Sequence, residues 1–446
     1  MRMGLAMAYL SQYSRLVSEK IGRWTWFLVL PILLVFQVFT LVHSEKPRYP
    51  CGPVITLFEV FHLSIMCDSY YYMEDARDLN RLFFYSFSAS DYGTVLQDRP
   101  LFPILAFVVA RIITVFPFPD KQVEFRGADN IAIAYDINIY LAHMLINAVS
   151  LSGAVLVIAA VFRGGSLVNV RLNELTLPMI AALLFMSMNS VVLDYFWNPN
   201  SGILNILCAA IVSMLVFANK PFTSLARILS LIFAISLLCL LYPLFFVVIP
   251  IIMYKLIYMN KYRLSWVPLV ALFPTLVWRL VIETKGGTYG LAPAKNFEAF
   301  VWVIESVREK TLLSDIGAFM GLFLKSVPLS LYVFIFALGA PAALLIWRSI
   351  EGSYIYRLSR ILSHPFSVGL LIYFLCLLLI GMNQPRHTLG LFLIILMGSL
   401  FTIERFLSAS TRTWLLVPVL VAWISNWIWF SSPGFELTEF NPSVRL

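Results

Sequence analysis

Apolar stretches of about 20 residues recur along most of the chain, each close to what a helix needs to cross a hydrocarbon core of about 30 Å. Short polar connections separate them. The pattern predicts spans at 24–43, 138–162, 175–193, 201–218, 222–241, 243–258, 264–283, 318–347, 365–382, 388–403 and 413–430, about eleven crossings in an all-α polytopic bundle. Two polar intervals are long enough to fold outside such a bundle, 44–137 and 284–317. Tyr242-Pro243 divides two adjacent apolar runs and predicts a helical hairpin over 222–258, because proline is tolerated in the first turn of a helix.

Lysine and arginine sort the connections by side. Basic groups stand at Arg2 to Arg23, Arg163 and Arg171, Lys220 and Arg227, Lys255 to Arg263, Arg348 to Arg360, and Arg405 with Arg412. Placing all of them in the cytoplasm requires an odd number of crossings between Arg23 and Arg163. The segment Pro100 to Phe118, interrupted by Pro103 and Arg111, therefore lies along the outer surface as an interfacial helix. Both long intervals then face outward, and two large loops on one face imply chemistry there.

Composition agrees with this picture: 60% of residues are hydrophobic and 13% charged, a balance suited to a bilayer-embedded bundle rather than a soluble globule. The net charge of +8 is scattered over short connections without basic-aromatic clusters, which argues against nucleic acid as a partner. Cys208, Cys239 and Cys376 lie in apolar spans with no metal-ligand spacing, while Cys51 and Cys67 share the first outer loop and leave a disulfide open. The basic N-terminal segment lacks a small-residue cleavage site after its apolar run, so the first helix is read as retained. The absence of a glycosylation sequon leans towards a bacterial inner membrane.

The densest acidic cluster, Asp68 to Asp78, follows an apolar stretch in the first outer loop. A helix over 69–85 would put Asp68 at its N-cap and Tyr72, Ala76 and Leu79 on one face. A carboxylate there can take a proton from a hydroxyl or hold a divalent cation, and it can equally serve as a helix cap before a solvated acidic face. Glu74, Asp75, Asp78, Asp91 and Asp98 are possible partners, as is His62 upstream; Asp98 stands beside Arg99 and can pair with it locally.

The pattern Asp68-x-x-x-Tyr72-x-x-x-Ala76-x-x-Leu79 soon after the first helix resembles the first-loop signature of the GT-C superfamily, membrane glycosyltransferases that use polyprenyl-phosphate sugars. Arg99-Pro100 opening an apolar interfacial helix, the hairpin at 222–258 and the outer loop at 284–317 are similar to the aminoarabinose and protein O-mannosyl transferases. The resemblance implies a catalytic module over 1–317, with helices in 318–446 completing the donor-lipid site. It makes Asp68 the catalytic carboxylate and points to Asp194, in Asp194 to Asn200, as a second acid. Tyr242 stands where relatives often carry lysine, which moves phosphate binding towards Arg386 and His387 in Asn383 to His387, with Lys325 near the same surface. Tyr72, Glu74, Asp98, Arg99 and Tyr242 are the remaining candidates for substrate contact.

The expected reaction is inverting transfer of a sugar from a polyprenyl phosphate to an extracytoplasmic glycan or lipid-linked acceptor. A divalent cation, Mg or Mn, is compatible with the acids, although the residues do not specify a metal site. The Gly-containing stretch Lys285 to Gly290 could close over a substrate but forms no dinucleotide motif. Two other classes share the helix count: a secondary transporter or flippase, in which ionisable residues would crowd the midplane, and a polysaccharide polymerase or ligase, in which a large outer loop would come late.

Overall fold

The computed structural model describes residues 54–57, 61–64, 69–84, 99–114, 122–126, 132–161, 192, 195–284, 302–325, 329–379 and 385–406. The fold is helical. Its extended elements among the described residues are two antiparallel hairpins within the 44–137 interval, β1 (Val54–Leu57) with β2 (Phe61–Ser64) and β3 (Gln122–Arg126) with β4 (Ala132–Asp136). The first pairs Thr56 with His62, and the second pairs Gln122 with Asp136.

Between the hairpins lie α1 (Ser69–Phe84) and α2 (Leu101–Ile113). Ser69, Tyr72, Met73, Ala76 and Leu79 of α1 are buried, as their spacing of three and four predicts. Pro100 stands immediately before α2, where its missing N–H costs nothing, and Pro103 falls in the first turn. Phe102, Ala106 and Ala110 are buried, and α2 packs on α1 and on α3 (Ile137–Val161). Leu105, Val108 and Ile112 point away from the bundle.

The centre is α4 (Leu204–Phe217), buried along nearly its whole length and packed by α3, α6 (Val248–Tyr258), α11 (Pro365–Leu379) and α12 (Pro385–Phe406). Close approach of α11 and α12 depends on glycine. A Cβ on Gly390 would collide with Tyr373 Oη and lie 3.1 Å from its Cζ, and one on Gly398 would enter the Phe366 ring. Tyr373 is fully buried and its hydroxyl has no partner among the described residues, so the ring cannot yield. Gly390→Ala is expected to cost about 1–3 kcal/mol as overpacking, read as a lowered midpoint of thermal unfolding in detergent. Adding Tyr373→Phe should restore most of the loss, since it removes the colliding atom without breaking a hydrogen bond.

The connection expected within 222–258 is present as an open hairpin rather than a tight one, because its two helices do not pack closely on each other. α5 (Leu225–Leu241) ends at Tyr242, whose extended backbone (φ −157°, ψ 120°) precedes a 3-10 turn, Pro243–Val247, leading into α6. Its arms go to different neighbours: α5 packs on Val267–Leu272 and α7 (Phe273–Thr284), α6 on α4 and α11. Beyond them come α8 (Leu312–Lys325), α9 (Leu329–Ser349) and α10 (Tyr354–Leu362). α9 and α12 pack together, so the C-terminal helices join the same bundle as α4.

Large apolar side chains face outward along several helices, among them Phe233, Trp266, Val270, Phe273 and Leu280. Among the described residues three helices are long and apolar enough to cross a membrane, Ile137–Ala159, Tyr262–Thr284 and His387–Phe406, or four if the bent pair α10 and α11 is one span. These features fit a helical membrane protein. The expected count of about eleven crossings is not reached among the described residues. The spans read at 201–218, 222–241 and 243–258 fold as helices of 14, 17 and 11 residues, interrupted by 3-10 turns at Lys220–Phe222 and Pro243–Val247 where Pro221 and Pro243 stand. The run at 318–347 is divided between α8 and α9. Those at 24–43, 175–193 (apart from Val192) and 413–430 lie outside the described residues.

Connections that carry the basic groups do meet one another. Lys255 Nζ donates to Val216 O at 2.7 Å, Lys261 Nζ donates to Phe222 O, and Tyr254 Oη donates to Ser363 O at 2.7 Å. Two of these cations satisfy carbonyls left open at or beyond the C-terminal end of α4.

Candidate functional site

At the other end of α4, five segments meet around the Arg99 guanidinium. Tyr72 enters from α1 because the buried stripe turns it inward, and its ring meets Phe102 edge-on at 5.5 Å. Arg99 enters from the residue before Pro100. The segment 195–203 supplies Ser201, the turn after α5 supplies Tyr242, and the first turn of α12 supplies His387.

The 195–203 segment is held by side chains of α3. Asn147 Nδ2 donates to the carbonyls of Phe196 (3.0 Å) and Asn198 (2.9 Å), and Tyr140 Oη donates to Trp197 O at 3.0 Å. Asn200 Oδ1 then accepts from Gly202 N at 2.8 Å. A Cβ on Gly202 would strike the Tyr195 ring, so this turn requires glycine. The result is a buried polar loop whose Phe196, Trp197 and Asn198 carbonyls are held by α3 and whose Ser201 hydroxyl faces Arg99.

Arg99 Nη1 donates to Tyr72 Oη and to Ser201 Oγ (2.6 Å), and those two hydroxyls lie 2.9 Å from each other. Its guanidinium carbon lies 5.0 Å from the Tyr242 ring centre and 5.9 Å from that of Tyr72. Nε is buried without a partner, and no carboxylate pairs with Arg99 among the described residues. Tyr242 Oη accepts from Asn205 Nδ2 at 3.1 Å and lies 3.3 Å from His387 Nε2. That nitrogen accepts the hydroxyl proton when the imidazole carries its own on Nδ1. Asn205 also donates to Gly202 O at 2.9 Å, closing the network onto the polar loop. His143 stands behind it, fully buried against Phe102, with Nδ1 2.8 Å from Ile139 O.

Four residues singled out from sequence, Tyr72, Arg99, Tyr242 and His387, are thus brought together from widely separated parts of the chain. Glu74 is not with them: it is half-buried and pairs with Arg77 at 3.7 Å, one helical turn along. Asp75 is the inward-facing acid of α1, only 2% exposed. Lys325 is exposed in the last turn of α8. Asp68, Asp98 and Asp194 lie outside the described residues, as do the side chain of Arg386, Cys51, Cys67 and the Lys285 to Gly290 stretch. Among the described residues no group of three His, Cys, Asp or Glu is placed to hold a metal ion.

Sequence reasoning missed Ser201, Asn205, Tyr140, His143 and Asn147. The last three carried a signal: they recur at intervals of three and four inside an otherwise apolar span, and polar residues so placed face a bundle interior.

A guanidinium with no carboxylate partner among the described residues, set between two aromatic faces and beside two hydroxyls, is suited to an oxyanion. The fold and this cluster together fit a helical membrane protein with a partly buried cationic site at one end of its central helix. No family model, curated protein or solved structure matches the chain.

Proposed function

We propose that this protein is an integral membrane glycosyltransferase that moves a sugar from a polyprenyl phosphate to an extracytoplasmic glycan or lipid-linked acceptor. The observation that carries this reading is the convergence of Tyr72, Arg99, Tyr242 and His387 on one site. Arg99 binds the donor phosphate, with His387 beside it on the far side of Tyr242. Arg386 and Lys325 are further phosphate ligands. Tyr242, where similar enzymes often carry lysine, supports Arg99 through its ring instead of presenting a second charge.

Asp68, four residues before Tyr72, is the general base that deprotonates the acceptor hydroxyl, and Asp194 is the second acid. Asp98 contacts substrate from the first outer loop. The leaving group is a phosphate that Arg99 stabilises as its charge develops, so positioning and electrostatics supply much of the rate. Attack opposite the departing phosphate inverts the anomeric centre. The carboxylates can also hold Mg or Mn. The site faces the exterior of a bacterial inner membrane, in accord with the basic connections lying at the other end of α4.

The test is a transfer assay on the full chain. Purified protein is given polyprenyl-phosphate sugars of several kinds together with membranes as acceptor, and free polyprenyl phosphate is measured. Release that depends on the protein is expected with at least one sugar. If no sugar is released and polyprenyl phosphate leaves thermal unfolding unchanged, the reading is wrong.

The buried polar row Tyr140, His143 and Asn147 of α3 favours a second reading, a transporter or flippase of a lipid-linked or small polar substrate. Such a protein would move the intact donor across proteoliposomes without cleaving it, which the same substrates would reveal.

A further inference from the structure

α10 has no buried residue, unlike the helices around it. Ile355, Leu358 and Leu362 are 79%, 39% and 60% exposed, with Tyr354 beside them. They recur at i, i+3 and i+7, the spacing of one helical face. Arg360, Tyr356 and Arg357 occupy the other side. Residues 348–364 hold three arginines against one glutamate.

This helix is braced. Arg357 donates from Nε to Gly352 O (3.0 Å) and from Nη1 to Trp347 O (3.3 Å), tying α10 to the end of α9. Gly352, at φ +123°, makes the turn between them, and Ser353 caps the helix by accepting from Tyr356 N. At its far end, Tyr254 Oη donates to Ser363 O. α10 is thereby set at 60° to α11. An apolar arc fixed outward, at an angle to the bundle helix it adjoins, is placed to lie along a bilayer surface. The Trp347 and Tyr354 rings, 5.1 Å apart, are of the kind that collects at headgroup level.

We propose that α10 is an in-plane interfacial helix, with Ile355, Leu358 and Leu362 among the acyl chains and Arg348 and Arg360 against anionic phospholipid headgroups. Charge selects this occupant: an apolar arc bordered by arginines matches an acidic lipid surface. The proposal is independent of what the site at the other end of α4 does.

Two measurements test it in nanodiscs of phosphatidylcholine and phosphatidylglycerol. Nitroxides placed singly at 354–362 in a cysteine-free background should collide with oxygen more than with a nickel chelate at 355, 358 and 362, and the reverse at 356 and 360. Uniform access to the chelate overturns the proposal. So does shielding from both reagents with spin–spin broadening, the signature of a second copy. With the native cysteines kept, Arg360→Gln should lower the preference for phosphatidylglycerol among retained lipids about fivefold, equivalent to about 1 kcal/mol. An unchanged preference overturns the headgroup contact, and this arm stands even if the cysteine-free chain fails to fold.

Discussion

Arg99→Ala is expected to reduce sugar transfer about 100- to 1000-fold, the usual consequence of removing a donor aimed at developing negative charge in a site screened from water. The loss should not come from unfolding. Tyr72 Oη and Ser201 Oγ are already 2.9 Å apart, so they keep each other as partners when the guanidinium is removed. The midpoint of thermal unfolding should therefore move little while donor affinity collapses. Arg99→Lys should restore charge but not the forked contact with both hydroxyls or the stacking on Tyr242, and so recover only part of the activity. An Arg99→Ala protein with normal donor affinity would exclude the phosphate role.

Asp68→Asn should have the largest effect on turnover. Asparagine preserves shape and polarity, so expression and membrane insertion are expected to match the unaltered protein. What it lacks is basicity, and loss of a general base costs about 100- to 10,000-fold. Donor-lipid retention, measured separately, should remain, since Arg99 is the proposed phosphate ligand. Wild-type turnover in this variant would remove the carboxylate from the mechanism; loss of both turnover and lipid retention would instead indicate a role in building the site.

Much of this arrangement was legible because local rules governed it. Tyr72, Ala76 and Leu79 repeat at helical spacing, and all three are buried on α1. Tyr242-Pro243 marks a turn because proline fixes its own backbone and starts a new helical segment. Arg99-Pro100 marks the start of α2 for the same reason.

Hydropathy was less reliable for counting crossings. It cannot distinguish a membrane-length helix from a shorter buried one such as α4, whose apolar run begins within a polar turn at Ser201 and Gly202. The site was legible as separate residues but not as a set. Asn147 and Tyr140 grip main-chain carbonyls 49 and 57 positions away, and no local periodicity encodes such partners. The hydrogen bonds of Arg99 run to Tyr72 and Ser201, 27 and 102 positions away, while the neighbouring Asp98 lies outside the described residues.

The shortness of α4 has a bearing on where chemistry can occur. It has 14 residues. At the usual helical rise these extend only about 21 Å, against about 30 Å of hydrocarbon. With Asn205 near its first turn and Val216 near its last, at least one terminus must sit beneath the water boundary. A polar cluster sunk to that depth would be reached more easily by a headgroup tethered to a long prenyl tail than by a solute arriving from the aqueous phase.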